Sequence, residues 1–276
     1  MCPRRPGPIT RWGEGLSGVG TPGVDASAIF GVRLHERKTL EEVRRTLRVF
    51  LDGDVTRRVF TPNPEILLYA WDHPDFRSLL DQADLALPDG AGLAMVQLVR
   101  TRRRIRRWPG VDVAEAAVRL AAARGDPVMF VGGKGDVGLR AAARWRAELP
   151  GLSVNAAGSG VQIGEDGVAI SPEDGRTLIE SIRSSVPRIV LVAFGAPKQE
   201  RWIDRYSAEV PSARIIMGVG GTLDMWAGRF PRAPRVMHRL GLEWLWRLAQ
   251  QPSRLPRIVR ATIVFPWRAL RERVAR

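Results

Sequence analysis

A chain of 276 residues, 45% of them hydrophobic, has enough apolar side chain for one large α/β domain or two small ones. Its 40 Arg against 3 Lys give a formal net charge of +14, which calls for an acidic partner: nucleic acid, a phosphorylated substrate or anionic lipid. A single cysteine, Cys2, excludes an internal disulfide framework and a cysteine zinc site. The scattered His35, His73 and His238 offer no paired-ligand spacing, and no run of 18 apolar residues exists to span a membrane.

Residues 1–24 hold six Gly and four Pro without periodicity and read as a disordered tail. No apolar run follows the early arginines, so no secretory signal is expected and the protein is placed in the cytoplasm. Order is expected from Ala28-Ile29-Phe30-Gly31-Val32, a short strand. Thr39-x-x-Glu42 is a capping box, and Leu40, Val43, Leu47 and Phe50 follow at helical spacing. Val59-Phe60 leads into Thr61-Pro62-Asn63-Pro64, where proline must stop a strand, and a helix restarts over Glu65 to Ala70. Leu85-Ala86-Leu87 runs into Pro88-Asp89-Gly90, followed by a helical pattern from Leu93 to Val99. Arg102, Arg103, Arg104, Arg106 and Arg107 form a basic run, either a solvated face or a nucleic-acid contact, though no known nucleic-acid motif accompanies it.

Asp112-x-x-Glu115 is expected to cap an Ala-rich helix reaching Ala123. Val128 to Val131 is a buried strand ending in Gly132-Gly133, with a helix from Val137 to Leu149 behind it. Ser171-Pro172 carries cap-then-N1 chemistry and opens a helix to Ser184. Arg188 to Phe194 is the clearest buried strand; a helix follows Pro197, and Ile215-Ile216-Met217 is a further strand. Strands alternating with helices predict a mostly parallel sheet flanked by helices, a Rossmann-like α/β core over 25–231. Residues 232–276 carry 11 Arg against Glu243 and Glu272, +9 of the total charge, together with Trp244, Trp246 and Trp267. They read as a separate C-terminal appendage of amphipathic helices broken near Pro252, Pro256 and Pro266.

Several turns at strand ends can carry chemistry. Gly133-x-Gly135-x-x-Gly138 has the setting of a dinucleotide fingerprint, which would make the chain an NAD-dependent oxidoreductase. The acid expected about 20 residues on is absent from Ser153-Val154-Asn155-Ala156, and a plain strand-to-helix turn is the alternative. The turns bearing Asn63, Asp89, Gln199 and Asp224 would share one edge of a parallel sheet, where ligands bind; each could also be a helix cap or Asx-turn. Asp89 is the one acid of its turn and can take a proton from a sugar hydroxyl. Lys134 and Lys198 could reach phosphates or be solvated loop lysines.

Seven blocks in order carry a resemblance: Thr61-Pro62-Asn63-Pro64-Glu65, Pro88-Asp89-Gly90-x-Gly92, Arg107-x-x-Gly110-x-Asp112, Phe194-Gly195-x-Pro197-Lys198-Gln199-Glu200, Gly218-Val219-Gly220-Gly221-x-x-Asp224, Arg232-Ala233-Pro234, and Gly241 to Leu248 with Pro252-x-Arg254. Over Ile29 to Arg257 the chain resembles the WecG/TagA/CpsF glycosyltransferases. The resemblance implies an inverting transferase that moves a sugar, N-acetylmannosamine or its uronic acid, from a UDP-sugar to an undecaprenyl-diphosphate-linked saccharide in cell-surface polysaccharide synthesis. UDP-glucose is the alternative donor. It implies Asp89 as catalytic base with Thr61, Asn63, Arg107 and Gln199 around it, and no metal or other cofactor. Nucleotide binding is expected at Gly132, Gly133, Lys134, Gly195, Lys198, Gly220, Gly221 and Asp224, and the acceptor diphosphate at Arg232, Arg247 and Arg254. The family's appendage implies peripheral attachment to the inner face of the membrane, with anionic lipid rather than nucleic acid as the partner. A homo-oligomer stays open. The chain departs from the family in its extra tail, in its basic run, and in Gly158-Ser159-Gly160-Val161, which lacks an expected aromatic.

Overall fold

The computed structural model describes residues 26–234, 236–237 and 241–272; the tail expected over 1–24 lies outside the described residues. The chain opens with a hairpin, β1 (Ala26–Ile29) and β2 (Val32–His35), where a single strand was expected. Phe30 at φ 56° and Gly31 at φ 75° form its turn, and positive φ at both central positions matches the twist of a two-residue hairpin. Phenylalanine gives no sequence signal for that conformation. Its ring is held instead by packing, against Trp71 at 4.7 Å and Phe265 at 5.7 Å.

Helix α1 (Leu40–Asp52) begins as the capping box predicts: Thr39 Oγ1 accepts from the Glu42 N–H at 3.1 Å. The reciprocal bond reaches one residue further back, from Lys38 N–H to Glu42 Oε2. The remaining elements are β3 (Arg57–Phe60), α2 (Pro64–Asp72), α3 (Pro74–Asp81), β4 (Leu85–Ala86), α4 (Ala91–Thr101), α5 (Gly110–Arg124), β5 (Val128–Gly132), α6 (Val137–Glu148), β6 (Val154–Ala157), α7 (Pro172–Ser184), β7 (Ile189–Ala193), α8 (Lys198–Tyr206), β8 (Ile215–Gly218) and α9 (Thr222–Trp226). Helix α7 matches its expected start and end, with Ser171 Oγ accepting from the Asp174 N–H. Helix α5 does not. It starts at Gly110, which packs so close to Thr61 that a Cβ would lie 2.8 Å from Oγ1; Asp112 therefore sits in the first turn and pairs with Arg232 rather than capping.

Strands β3 to β8 form a six-stranded parallel sheet in the order β4-β3-β8-β7-β5-β6. Both faces are covered, as continuous apolar strands require. Met129, Val131, Val190, Val192 and Ile216 pack on one face; Val128, Phe130, Ile189, Leu191, Ile215 and Met217 pack on the other, the period-two alternation of a strand. Adjacent strands β3 and β8 send their following helices to opposite faces. Leu67 and Leu68 of α2 join the first layer, and Leu223 and Trp226 of α9 join the second. That divergence opens a crevice at the strands' carboxyl ends, the topological switch point of an open α/β sheet.

The C-terminal segment holds α10 (Glu243–Gln250), a 3-10 turn (Pro252–Arg254), α11 (Leu255–Val259), a π-helical stretch (Arg260–Val264) and α12 (Phe265–Arg271). Only Pro252 marks a break. Pro256 lies in the first turn of α11, where its missing N–H costs nothing. Pro266 follows directly on the π-helical stretch, whose wider turn accommodates the ring without ending the helix. The shift in charge at Arg232 is not a boundary of packing. Phe265 and Ala269 are fully buried with the residues of α2 and α4, Glu272 accepts from the Phe30 N–H at 3.2 Å and pairs with Arg100 at 2.9 Å, and Arg268 pairs with Asp72.

Candidate active site

The turn after β3 is built by Asn63. Its Oδ1 accepts from the N–H groups of Glu65 and Ile66, both at 3.0 Å, and Pro64 takes the first helical position of α2. The neighbouring turn after β4 is lashed to it. The N–H of Leu87 donates to Phe60 and that of Asp89 to Pro62, while Pro88 accepts from the Trp108 N–H. Gly90, at φ 93°, lies so near Pro64 that a Cβ would be 2.9 Å from its Cδ. The backbone under Asp89 is thus held from both sides.

The turns after β7 and β8 are joined by one side chain. Gln199 is buried on α8, and its Oε1 accepts from the N–H of Gly195 at 3.2 Å and of Gly220 at 2.9 Å. Its Nε2 donates to Glu200 Oε1 at 2.8 Å. At Gly195, Gly220 and Gly221 no atom lies within 4 Å of where a Cβ would be, so these turns border open space.

All four turns line one cleft of about 220 Å³, closed on its other side by Arg232, Trp246, Gln250, Arg254 and Arg257. Trp246 Nε1 and Gln250 Nε2 donate to the Pro231 carbonyl, fastening α10 over the cleft, and Arg257 pairs with Glu65 of α2. Arg229 pairs with Asp224 at 3.3 Å.

Thr61, Asn63, Asp89, Gly195, Gln199, Gly220, Gly221, Asp224, Arg232 and Arg254 therefore come together from distant parts of the chain, as one sheet edge predicts. The structure does not bring Gly132, Gly133, Lys134, Lys198 or Arg107 into this lining. A Cβ at Gly132 would lie 2.7 Å from the Phe194 ring, and one at Gly138 3.2 Å from the Gly132 carbonyl. Gly132, Gly133 and Gly138 thus serve close strand-to-helix packing, the plain-turn alternative, while Gly135 borders open space. Lys198 Nζ donates to the Ile163 carbonyl at 2.7 Å. Arg107 lies beside Gly241. Arg247 is on α10, with its side chain outside the described residues.

Glu200 stands beside Gln199 in the Phe194-to-Glu200 block. It is 2% exposed and lines the same cleft, and burial pushes its carboxyl up to about 7. The sequence carries its signal: Gln199 and Glu200 precede Trp202 and Ile203 at helical spacing, which sets both on the buried face of α8. Among the described residues no group of three or more His, Cys, Asp or Glu could hold a metal ion. The chain belongs to the WecG/TagA/CpsF family of glycosyl transferases, whose family model matches residues 27–276, so it is a glycosyltransferase.

Proposed function

We propose that this glycosyltransferase takes N-acetylmannosamine or its uronic acid from a UDP-sugar and passes it, with inversion, to a saccharide carried on undecaprenyl diphosphate. The observation that carries the reading is Asp89, a carboxylate on a fixed turn, in one cleft with open glycine turns and three arginines. Asp89 takes the proton of the acceptor hydroxyl as that oxygen attacks the anomeric carbon. The bond from this carbon to the diphosphate oxygen breaks, the electron pair leaves with UDP, and a single displacement from the opposite face inverts the centre. Arg232, Arg254 and Arg257 bring positive charge to the donor and acceptor diphosphates. Asp224 suits a ribose hydroxyl. Asn63 spends Oδ1 on its helix, which leaves Nδ2 as its donor to a substrate oxygen. Mass spectrometry of products from a panel of UDP-sugars with a short-chain lipid-diphosphate sugar tests this. A glucosylated product would transfer the donor assignment to UDP-glucose, and no product from any UDP-sugar would end the reading.

With Arg232, Arg254 and Arg257 in the cleft lining, protein cations are expected to carry the leaving diphosphate. Activity is therefore expected to survive exhaustive EDTA treatment unchanged. A strict Mg²⁺ requirement would redirect attention to Asp224 and its neighbours.

The acceptor's lipid fits an apolar face with basic flanks. No helix among the described residues is long and apolar enough to cross a membrane. Val259, Ile263 and Trp267 are exposed along α11–α12, and Met95 and Val99 on the packed α4, with the Arg271 guanidinium 4.2 Å from the Trp267 ring centre. Such a surface lies in the interface of an anionic bilayer, each nearby Arg contributing about 1 kcal/mol. Trp267→Ser is expected to weaken co-sedimentation with anionic liposomes about thirtyfold, by removing an apolar ring worth ~2 kcal/mol, while UDP binding stays unchanged. Full-length protein that stays in the supernatant at low salt would refute the membrane reading.

A further inference from the structure

The cleft contains a buried acid that the proposed transfer does not use. Glu200 Oε1 accepts from Gln199 Nε2 at 2.8 Å, and Gln199 Oε1 is the shared acceptor for the N–H groups of Gly195 and Gly220. The two bonds to Gln199 Oε1 leave only one productive orientation of that amide, and Nε2 must then face an acceptor. Glu200 is that acceptor. The Gln199 side chain is also confined from behind, since a Cβ at Gly218 would lie 2.9 Å from Nε2.

Glu200 Oε2 is buried and has no hydrogen-bond partner. Among the described residues no cation is paired with it. On its own helix Lys198 is bonded to the Ile163 carbonyl, and Arg201 is paired with Asp75 of α3 at 2.6 Å. Asp204 is paired with Arg58 of β3, and strands β7 and β8 carry no titratable side chain. Across the cleft Glu65 pairs with Arg257 and Asp224 with Arg229, while Asp89 belongs to the turn after β4. A carboxylate enclosed in this way has nothing to balance its charge.

We propose that Glu200 is a positioning residue that acts through Gln199: enclosed, it fixes the clamp joining the Gly195 and Gly220 turns, and on ionisation the charge that its enclosure cannot solvate draws water to Oε2, which loosens the clamp and weakens binding of a nucleoside diphosphate against those turns. The proposal rests on the UDP-sugar reading for the identity of the ligand. Burial is the largest cause holding the group near 7, only partly offset by its hydrogen bonds to Gln199 and to its own N–H. The folded form thus holds a proton that the unfolded chain releases near 4.5. The stability this contributes is complete below that lower value and is lost as pH rises through about 7. The site follows the same direction, tight on the acid side of neutrality and loose on the alkaline side.

The test is UDP affinity of the full-length protein at pH 6 and pH 8.5, by calorimetry, for wild type, Glu200→Gln and Glu200→Ala, with thermal melting at both pH values. Glu200→Gln keeps an acceptor for Gln199 Nε2 and cannot ionise, so it also subtracts the titration of UDP itself. Wild type is expected to lose about tenfold in affinity relative to Glu200→Gln on going to pH 8.5, and its melting temperature to fall relative to that variant. Glu200→Ala, lacking the acceptor, is expected to bind weakly at both pH values, and Glu200→Gln to restore binding. Parallel pH dependence in wild type and Glu200→Gln overturns the proposal and leaves the UDP reading standing, because a merely structural glutamate would behave in that way. Absence of UDP binding by every chain at both pH values overturns the UDP reading and this proposal together.

Discussion

Asp89→Asn is expected to lower kcat about 100-fold or more, the usual effect of removing a general base, with UDP affinity close to that of wild type. The substitution keeps the shape of the side chain and removes its basicity. The turn beneath it is held by backbone groups, through Asp89 N–H to Pro62 and Trp108 N–H to Pro88, which the substitution leaves in place. Single-turnover rates with a short-chain lipid-diphosphate sugar separate the chemical step from binding. A variant that keeps nearly full turnover would remove Asp89 from the mechanism and leave the cleft without a base on its β4 side.

Phe265→Ala is expected to cost about 3–5 kcal/mol, the range for emptying a fully buried aromatic site. Phe265 has no exposed surface and meets the edge of Phe30, itself at the tip of the opening hairpin. In a chain of this size the loss corresponds to a fall in Tm of roughly 6–20 °C. Activity should fall with it, because the helix that Phe265 anchors continues from the turn bearing Arg254 and from Arg257, both in the cleft lining. Calorimetric melting and acceptor transfer, measured on the same preparation, check both effects. An unchanged Tm would mean that the basic segment is a detachable appendage, as its composition alone suggests.

The turns at strand ends were legible in the sequence because their chemistry is local. Asn63 before Pro64 and Ser171 before Pro172 announce helix starts within a few residues of themselves, and both cap their helices through the side-chain oxygen. Gln199 was legible as part of a polar turn at a strand end but not as the staple of two turns, since Gly220 lies 21 residues away. Features that contradict local propensity were misplaced. A hairpin turned at Phe30, a helix started at Gly110 and a proline carried inside a helix at Pro266 each look unfavourable in isolation. Each is held by a distant partner: Phe265 against Phe30, Thr61 against Gly110, and the apolar floor of α2 and α4 beneath α12.

What the sequence determined by itself is the alternation of buried apolar strands with amphipathic helices, and hence a parallel sheet with polar turns at one edge. It also determined the family, through seven blocks of residues, four of which stand at those strand ends. Tertiary structure alone decided that β3 and β8 are neighbours whose helices part to opposite faces, which is why a cleft exists at all. It also decided that the arginine-rich C-terminal helices close that cleft rather than stand apart from the core. The physical reason is range. Capping, periodicity and turn preference act over three or four residues. Strand order and the burial of Phe265 or Glu200 come from side chains meeting across most of the chain, and no local pattern records them.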